Sequence, residues 1–149
     1  MRFDLLPASM LRVTEEHDHE RMLQLCDQIL ASGVWTMPIC IERESHAVMD
    51  GHHRLEAAKR LGLARVPVYL LDYSQVTLTR WRDDIHVSVA DILRRAYAND
   101  PYPKKTTRHV FPEELTRPCA IPLALLRDIA PIAWPMPEEP IAALRAEYG

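Results

Sequence analysis

Two short runs of this chain, and a few residues elsewhere, combine side chains that could do chemistry. Asp50-Gly51-His52-His53-Arg54 follows the apolar run Ala47-Val48-Met49 and leads into a helix-forming stretch that ends at Gly62. A strand passing through a Gly turn into a helix leaves free backbone N–H groups at the helix start, where the helix dipole adds positive potential. Gly51 permits a positive φ or a close backbone approach, and His52, His53 and Arg54 add donors, so the turn suits an anion. The second run, Tyr102-Pro103-Lys104-Lys105-Thr106-Thr107-Arg108-His109-Val110, is by itself a basic loop held between prolines and an apolar exit. Its Arg can hold a carboxylate or phosphate bidentately, and its hydroxyls supply neutral donors. Glu15 and Glu16 taken alone are solvated acids, and Trp81, after an apolar run, is by default a core aromatic.

The elements that must position these residues are legible as periodic patterns. Asp18 is placed to cap a helix with Glu20 in its first turn, and Met22, Leu25, Cys26, Ile29 and Leu30 recur at i, i+3, i+4, i+7 and i+8 before Gly33 closes it. Pro38–Glu42 and His46–Asp50, joined by Arg43-Glu44-Ser45, form a hairpin that delivers Asp50 and Gly51 to a sheet edge. Leu55, Ala58 and Leu61 share one face of the next helix, with Gly62 at its C′ position. Val66–Leu71 is apolar nearly throughout, as for a strand buried on both faces, and Pro67 restricts it to an edge or its start. Phe3, Leu5 and Leu6 around Pro7 suggest an irregular or edge strand, so the order up to here is β-α-β-β-α-β.

Val76, Leu78 and Trp81 continue with some alternation, and Ser88 then caps a helix whose stripe is Val89, Ile92, Leu93, Ala96 and Tyr97, ended by Asn99-Asp100-Pro101. Most of the 12 prolines follow residue 100. The last third should therefore wrap over the core, with Pro118–Leu123 as a packing segment and short helices near Leu123–Arg127 and Ile141–Glu147. The expected class is α+β: a small mixed sheet with helices and a Pro-rich C-terminal tail, residues 1–112 forming the core domain and 113–149 an extension packed on it.

Composition narrows the function classes. With 149 residues, 48% hydrophobic and 26% charged, the chain is a globular protein with room for one core. A net charge of −3 and a pI near 6.1 give no global attraction to nucleic acid or anionic lipid, so an anion site must be local. Cys26, Cys40 and Cys119 are too far apart for a zinc or disulfide framework and read as inert thiols. His17, His19 and His46 lack a second pair at ligand spacing and are assigned surface or capping roles. Without a signal-peptide pattern or a long apolar run, a cytoplasmic location is the expectation.

Asp50-Gly51-His52-His53-Arg54 and Lys105-Thr106-Thr107-Arg108-His109 together are more specific than either alone. With Leu11–Glu16, Gly33–Ile41, Val66–Tyr73 and Trp81-Arg82, they make residues 1–112 resemble the ParB/sulfiredoxin-like superfamily. Within it, the chain is most similar to the free L-serine kinases of the archaeal and staphyloferrin-pathway type. The resemblance implies that Glu15 is the catalytic carboxylate, with Glu16 as its alternative, and that Asp50 is a second acid of the site. It assigns Gly51, His52, His53 and Arg54 to the phosphate-binding turn, and Trp81, Thr107, Arg108 and His109 to the amino-acid substrate. The implied reaction moves phosphate from ATP or ADP, with CTP also open, to the hydroxyl of free L-serine or a similar amino acid, giving O-phosphoserine. Mg2+ would travel with the nucleotide and meet Asp50 rather than a protein-only cluster, in a monomer or homodimer.

Neighbouring families fit less well. His52 stands where sulfiredoxins carry their catalytic cysteine, which removes that nucleophile. Gly51, Arg54 and Ala57 match the Gly-x-x-Arg-x-x-Ala of partition proteins, but no helical DNA-reading domain follows. The alternative is a ParB-like nucleotide-binding regulatory or DNA-partner module without kinase activity. The serine kinases also carry more chain between the two motifs, so part of their pocket or lid lacks a counterpart here. The resemblance makes one geometric demand: Glu15, Asp50, Arg54 and His109 must converge on one cleft.

Overall fold

The computed structural model describes residues 3–115 and 117–127. The first helix, α1 (His19–Ser32), starts where Asp18 accepts a hydrogen bond from the Arg21 N–H at 3.0 Å and stops at Gly33, whose φ is 72°. Met22, Cys26 and Ile29 face the core, whereas Leu30, expected in the same stripe, is exposed because the interface is narrower than the apolar stripe.

A four-stranded mixed sheet lies at the centre, in the order β1 (Asp4–Pro7), β5 (Arg65–Leu71), β3 (Ile39–Glu42), β4 (Val48–Asp50). β3 and β4 form the expected hairpin, and β3 runs parallel to β5, from Ile39 opposite Val68 to Glu42 opposite Leu71. Pro67 does not push β5 to an edge: it sits near the strand's start, opposite Leu5, one residue before the parallel ladder begins at Val68. The outer side of β4 is covered by the chain after β1, since Arg12 N–H donates to His46 O and Val48 N–H donates to Arg12 O, both at 3.0 Å. α2 (His52–Arg60) buries Leu55, Ala57 and Ala58 and packs on α1, and Gly62 has the expected positive φ of 71°.

α3 (Val89–Ala98) is capped by the Ser88 hydroxyl, which accepts from Asp91 N–H at 3.1 Å, and ends at Asn99 with φ 52°. Ile92 and Ala96 are buried, but Tyr97, expected in the stripe, lies exposed beneath the Arg12 guanidinium. The run read as a basic loop is in its second half a strand. β7 (Thr107–Val110) pairs antiparallel with β6 (Thr77–Arg80) in a separate ribbon, consistent with its β-branched Thr107 and Val110. Another ribbon was not anticipated: β2 (Val34–Trp35) pairs with β8 (Ile121–Pro122) just before α4 (Leu123–Arg127). Ile121, Leu123 and Leu126 join the main core, as expected of a packing segment with a short helix. The helix expected at Ile141–Glu147 lies outside the described residues. Among those residues, no helix is long and apolar enough to cross a membrane.

Candidate functional site

Gly51 sets the floor of the site. Its φ of 108° turns the chain from β4 into α2, and an added Cβ would lie 3.1 Å from Ile39 Cγ1, so both conformation and space select glycine. The first helical bond is Leu55 N–H to Gly51 O at 2.9 Å, and no side chain caps the helix. The N–H groups of His52, His53 and Arg54 therefore remain available, among the described residues, to an anion.

Glu15 reaches the same cleft from the segment leading to α1. Its Oε1 accepts from Thr107 N–H at 2.8 Å, Thr107 Oγ1–H at 3.0 Å and Thr106 N–H at 3.2 Å. These bonds aim the carboxylate and stabilise its charge, but burial outweighs them and raises its pKa above the ordinary value. The backbone beside it is equally fixed: Tyr102 N–H donates to Thr14 O and Glu16 N–H donates to Tyr102 O, tying the start of the segment to the run that leads into β7.

The two histidines, read from the sequence as donors beside the helix start, use their Nε2 atoms as acceptors of backbone N–H groups instead. His52 Nε2 accepts from Thr14 N–H at 3.2 Å, and His53 Nε2 accepts from Asp18 N–H at 3.0 Å. His52 Nε2 also lies 3.2 Å from the Thr14 hydroxyl oxygen, a contact whose direction follows the ring's tautomer. Burial pulls the His52 pKa down to about 3, and burial together with nearby Arg21 and His17 lowers that of His53. His109, half-buried between Tyr73 and Phe111, is likewise pulled down to about 4 by burial of its ring; its Nε2 lies 2.9 Å from the Tyr73 hydroxyl, and its Nδ1 has no partner among the described residues.

Trp81 is not a core residue. It is 61% exposed and lies under the Arg108 guanidinium, which sits 4.6 Å from the ring centroid. The Trp81 backbone N–H donates to Thr106 O at 3.0 Å, continuing the β6–β7 pairing beyond the ribbon.

All ten residues singled out by the sequence, Glu15, Asp50, Gly51, His52, His53, Arg54, Trp81, Thr107, Arg108 and His109, line one cleft of about 680 Å³. The four whose convergence the resemblance demands are among them. Glu16 also lines it, but of the two acids only Glu15 has its carboxylate oriented by hydrogen bonds among the described residues. Sequence reading missed the wall built by α1, where Arg21, Gln24 and Gln28 face the cleft. Their i, i+3, i+7 spacing, opposite the buried stripe, is the signal that could have found them. Arg21, Arg54 and Lys105 form no ion pair among the described residues, leaving the cleft with unneutralised cations.

The described residues contain no group of three or more His, Cys, Asp or Glu side chains able to hold a metal. Asp50, exposed at the end of β4, is instead a single carboxylate lining the cleft beside the Gly51 turn. That donor set fits a Mg2+ ion whose other ligands are phosphate oxygens and water. Burial pushes the thiols of Cys40 and Cys119 up to about 12, so neither is a nucleophile for this cleft.

No protein-family model matches the chain. An ATP-dependent L-serine kinase of Staphylothermus marinus is 34% identical over 95 residues, covering 60% of this chain and 38% of that protein. A ParB-like protein of Sulfolobus acidocaldarius is 38% identical over 61 residues, covering 38% of this chain and 31% of that one. The chain thus spans less than two-fifths of the length of these curated relatives. Among solved structures, a free serine kinase variant in complex with AMP superposes with a TM-score of 0.77, covering 85% of this chain and 94% of that chain at 13% identity, a likeness of fold.

Proposed function

We propose that this chain, which has free serine kinases and ParB-like proteins as relatives and the free serine kinase fold, is a nucleotide-dependent small-molecule kinase. The acceptor is the hydroxyl of free L-serine or a similar amino acid, and the product is O-phosphoserine. The observation that carries this reading is Glu15: a desolvated carboxylate with one oxygen saturated by three donors, sharing a cleft with uncapped N–H groups. A saturated Oε1 leaves Oε2 to take the proton of an attacking hydroxyl.

In this reading the N–H groups of His52, His53 and Arg54, with the Arg54 guanidinium, hold the phosphates and stabilise charge on the transferring phosphoryl group. Arg108, steadied over Trp81, pairs with the acceptor's carboxylate, and Thr107 and His109 close that end of the cleft. Asp50 would hold Mg2+ together with the nucleotide; the ion when bound neutralises phosphate charge. The chain's own part is to position the two reactants, which is most of what phosphoryl transfer requires.

The test is to incubate the protein with ATP or ADP, Mg2+ and L-serine and to follow phosphoester formation by phosphorus NMR. Formation of O-phosphoserine is the expected outcome, and its absence across a panel of hydroxy amino acids overturns the kinase reading. Glu15→Gln should retain nucleotide binding and lose turnover by about 100- to 10,000-fold, the usual range for a general base. The ParB-like relative supports a second reading, a nucleotide-binding regulator without transfer activity. Nucleotide binding without any phosphoester would favour it.

A further inference from the structure

The histidine pair of the Gly51 turn has unusual partners for side chains at a proposed phosphate site. His52 and His53 are the first two residues of α2, and their rings point back to the chain before α1 instead of leaving both nitrogens for a ligand. The N–H groups they receive belong to Thr14 and Asp18, which flank Glu15 and Glu16 on either side. Between these two anchors the Tyr102 backbone holds Thr14 O and Glu16 N–H. The Thr14 hydroxyl donates to Val48 O at 2.7 Å and its oxygen lies 3.2 Å from His52 Nε2, and Asp18 caps α1. Four backbone groups of a five-residue segment are thus fixed, two of them by the imidazoles of α2.

We propose that His52 and His53 are positioning residues, whose Nε2 atoms accept from the backbone at both ends of Thr14–Asp18 and so fix the Glu15 carboxylate relative to the N-terminus of α2. This rests on the kinase reading for its consequence, but not for its geometry. In the kinase the reacting hydroxyl must meet Glu15 on one side and the phosphoryl group above α2 on the other. A displacement of the base by about 1 Å is enough to cost roughly 100-fold in rate. No element joins the Glu15 segment to α2 directly in sequence, so a hydrogen-bonded clamp is a physical means of keeping that spacing. The anion is then left to the backbone N–H groups and Arg54, while the histidines link base and phosphate site.

The clamp specifies an atom, which makes it testable. A Gln side chain can place its Oε1 near the position of His Nε2, whereas Asn is too short to do so. For each position we expect the Asn variant to lower kcat by tenfold or more with the nucleotide KM changed less than about threefold, and the Gln variant to recover most of kcat. Equal kcat in the Gln and Asn variants, or a loss confined to nucleotide KM, overturns the proposal in favour of a ligand-binding role. A second measurement needs neither turnover nor a variant: nitrogen-15 NMR of the imidazoles in the wild-type protein should show Nε2 of His53 unprotonated and Nδ1 protonated. Finding the proton on Nε2 of His53 overturns the clamp whatever the enzyme assay shows. Failure to make any phosphoester, with that tautomer present, overturns the kinase reading and leaves the clamp standing.

Discussion

Glu15 is held in a conflict of forces that has consequences for stability as well as chemistry. Burial disfavours its charge more than the bonds from Thr106 and Thr107 favour it, so its folded pKa lies above the ordinary value. A carboxylate with a raised folded pKa contributes stability below its unfolded pKa, and that contribution disappears as pH rises through the folded pKa. Above that range the ionised group is a liability to the fold. Glu15→Gln keeps an acceptor for the same donors without the charge, so it should have a higher Tm than wild type at pH 8. The difference should shrink towards pH 4, where wild-type Glu15 is protonated; thermal melts at both values check it, and a variant less stable at pH 8 contradicts it. The site residue would then hold its charge at the expense of stability, a pattern frequent in functional sites. None of this was readable from Glu15 in the sequence, where two adjacent acids before a helix look like surface residues and only the family resemblance distinguished them.

At the scale of elements, the turn from β4 into α2 is the most exacting piece of local structure. Gly51 must hold φ 108° while the side chain of Ile39 occupies the space that a Cβ there would need. Gly51→Ala meets both restrictions, and backbone strain alone costs on the order of 1–3 kcal/mol. Urea denaturation should show a lower midpoint by a corresponding amount, and under the proposed kinase function nucleotide affinity should fall because the N–H groups of the next three residues turn with the backbone. An alanine variant as stable as wild type would mean the turn is not held in this conformation. This turn was legible beforehand because Gly, a preceding apolar strand and a following helical face all occur in one short window. The second half of the Tyr102–Val110 run reads as a loop from sequence because its partner, Thr77–Arg80, is remote in sequence and mostly exposed, with no clear alternation to show that it pairs. The hydrogen bonds to Glu15 depend on that long-range pairing.

At the scale of the molecule, the cleft is made where separate pieces meet: the segment before α1, the turn into α2, and the β6–β7 ribbon. Composition and periodicity revealed α1, α2, α3 and the central strands, since each is a local pattern. They could not reveal the β2–β8 ribbon, two residues per strand, whose existence depends on the chain returning from residue 121 to residue 35. That return closes the core on the side of β5. Ile121 and Leu126 are fully buried, Leu126 O accepts from Ala64 N–H at 2.8 Å, and Leu123 N–H donates to Gly33 O at 3.1 Å. If the segment were only a wrapping tail, shortening Leu126 would matter little. As a core element, Leu126→Ala should destabilise the protein by about 2–5 kcal/mol, the cost of a lost side chain plus the cavity it leaves. Tm should fall by roughly 2–4 °C for each kcal/mol in a chain of this size. Leu126 does not line the cleft, so under the proposed function kcat at temperatures well below the transition should stay within about twofold of wild type. A large drop in kcat with an unchanged Tm would instead place the segment in the working part of the molecule.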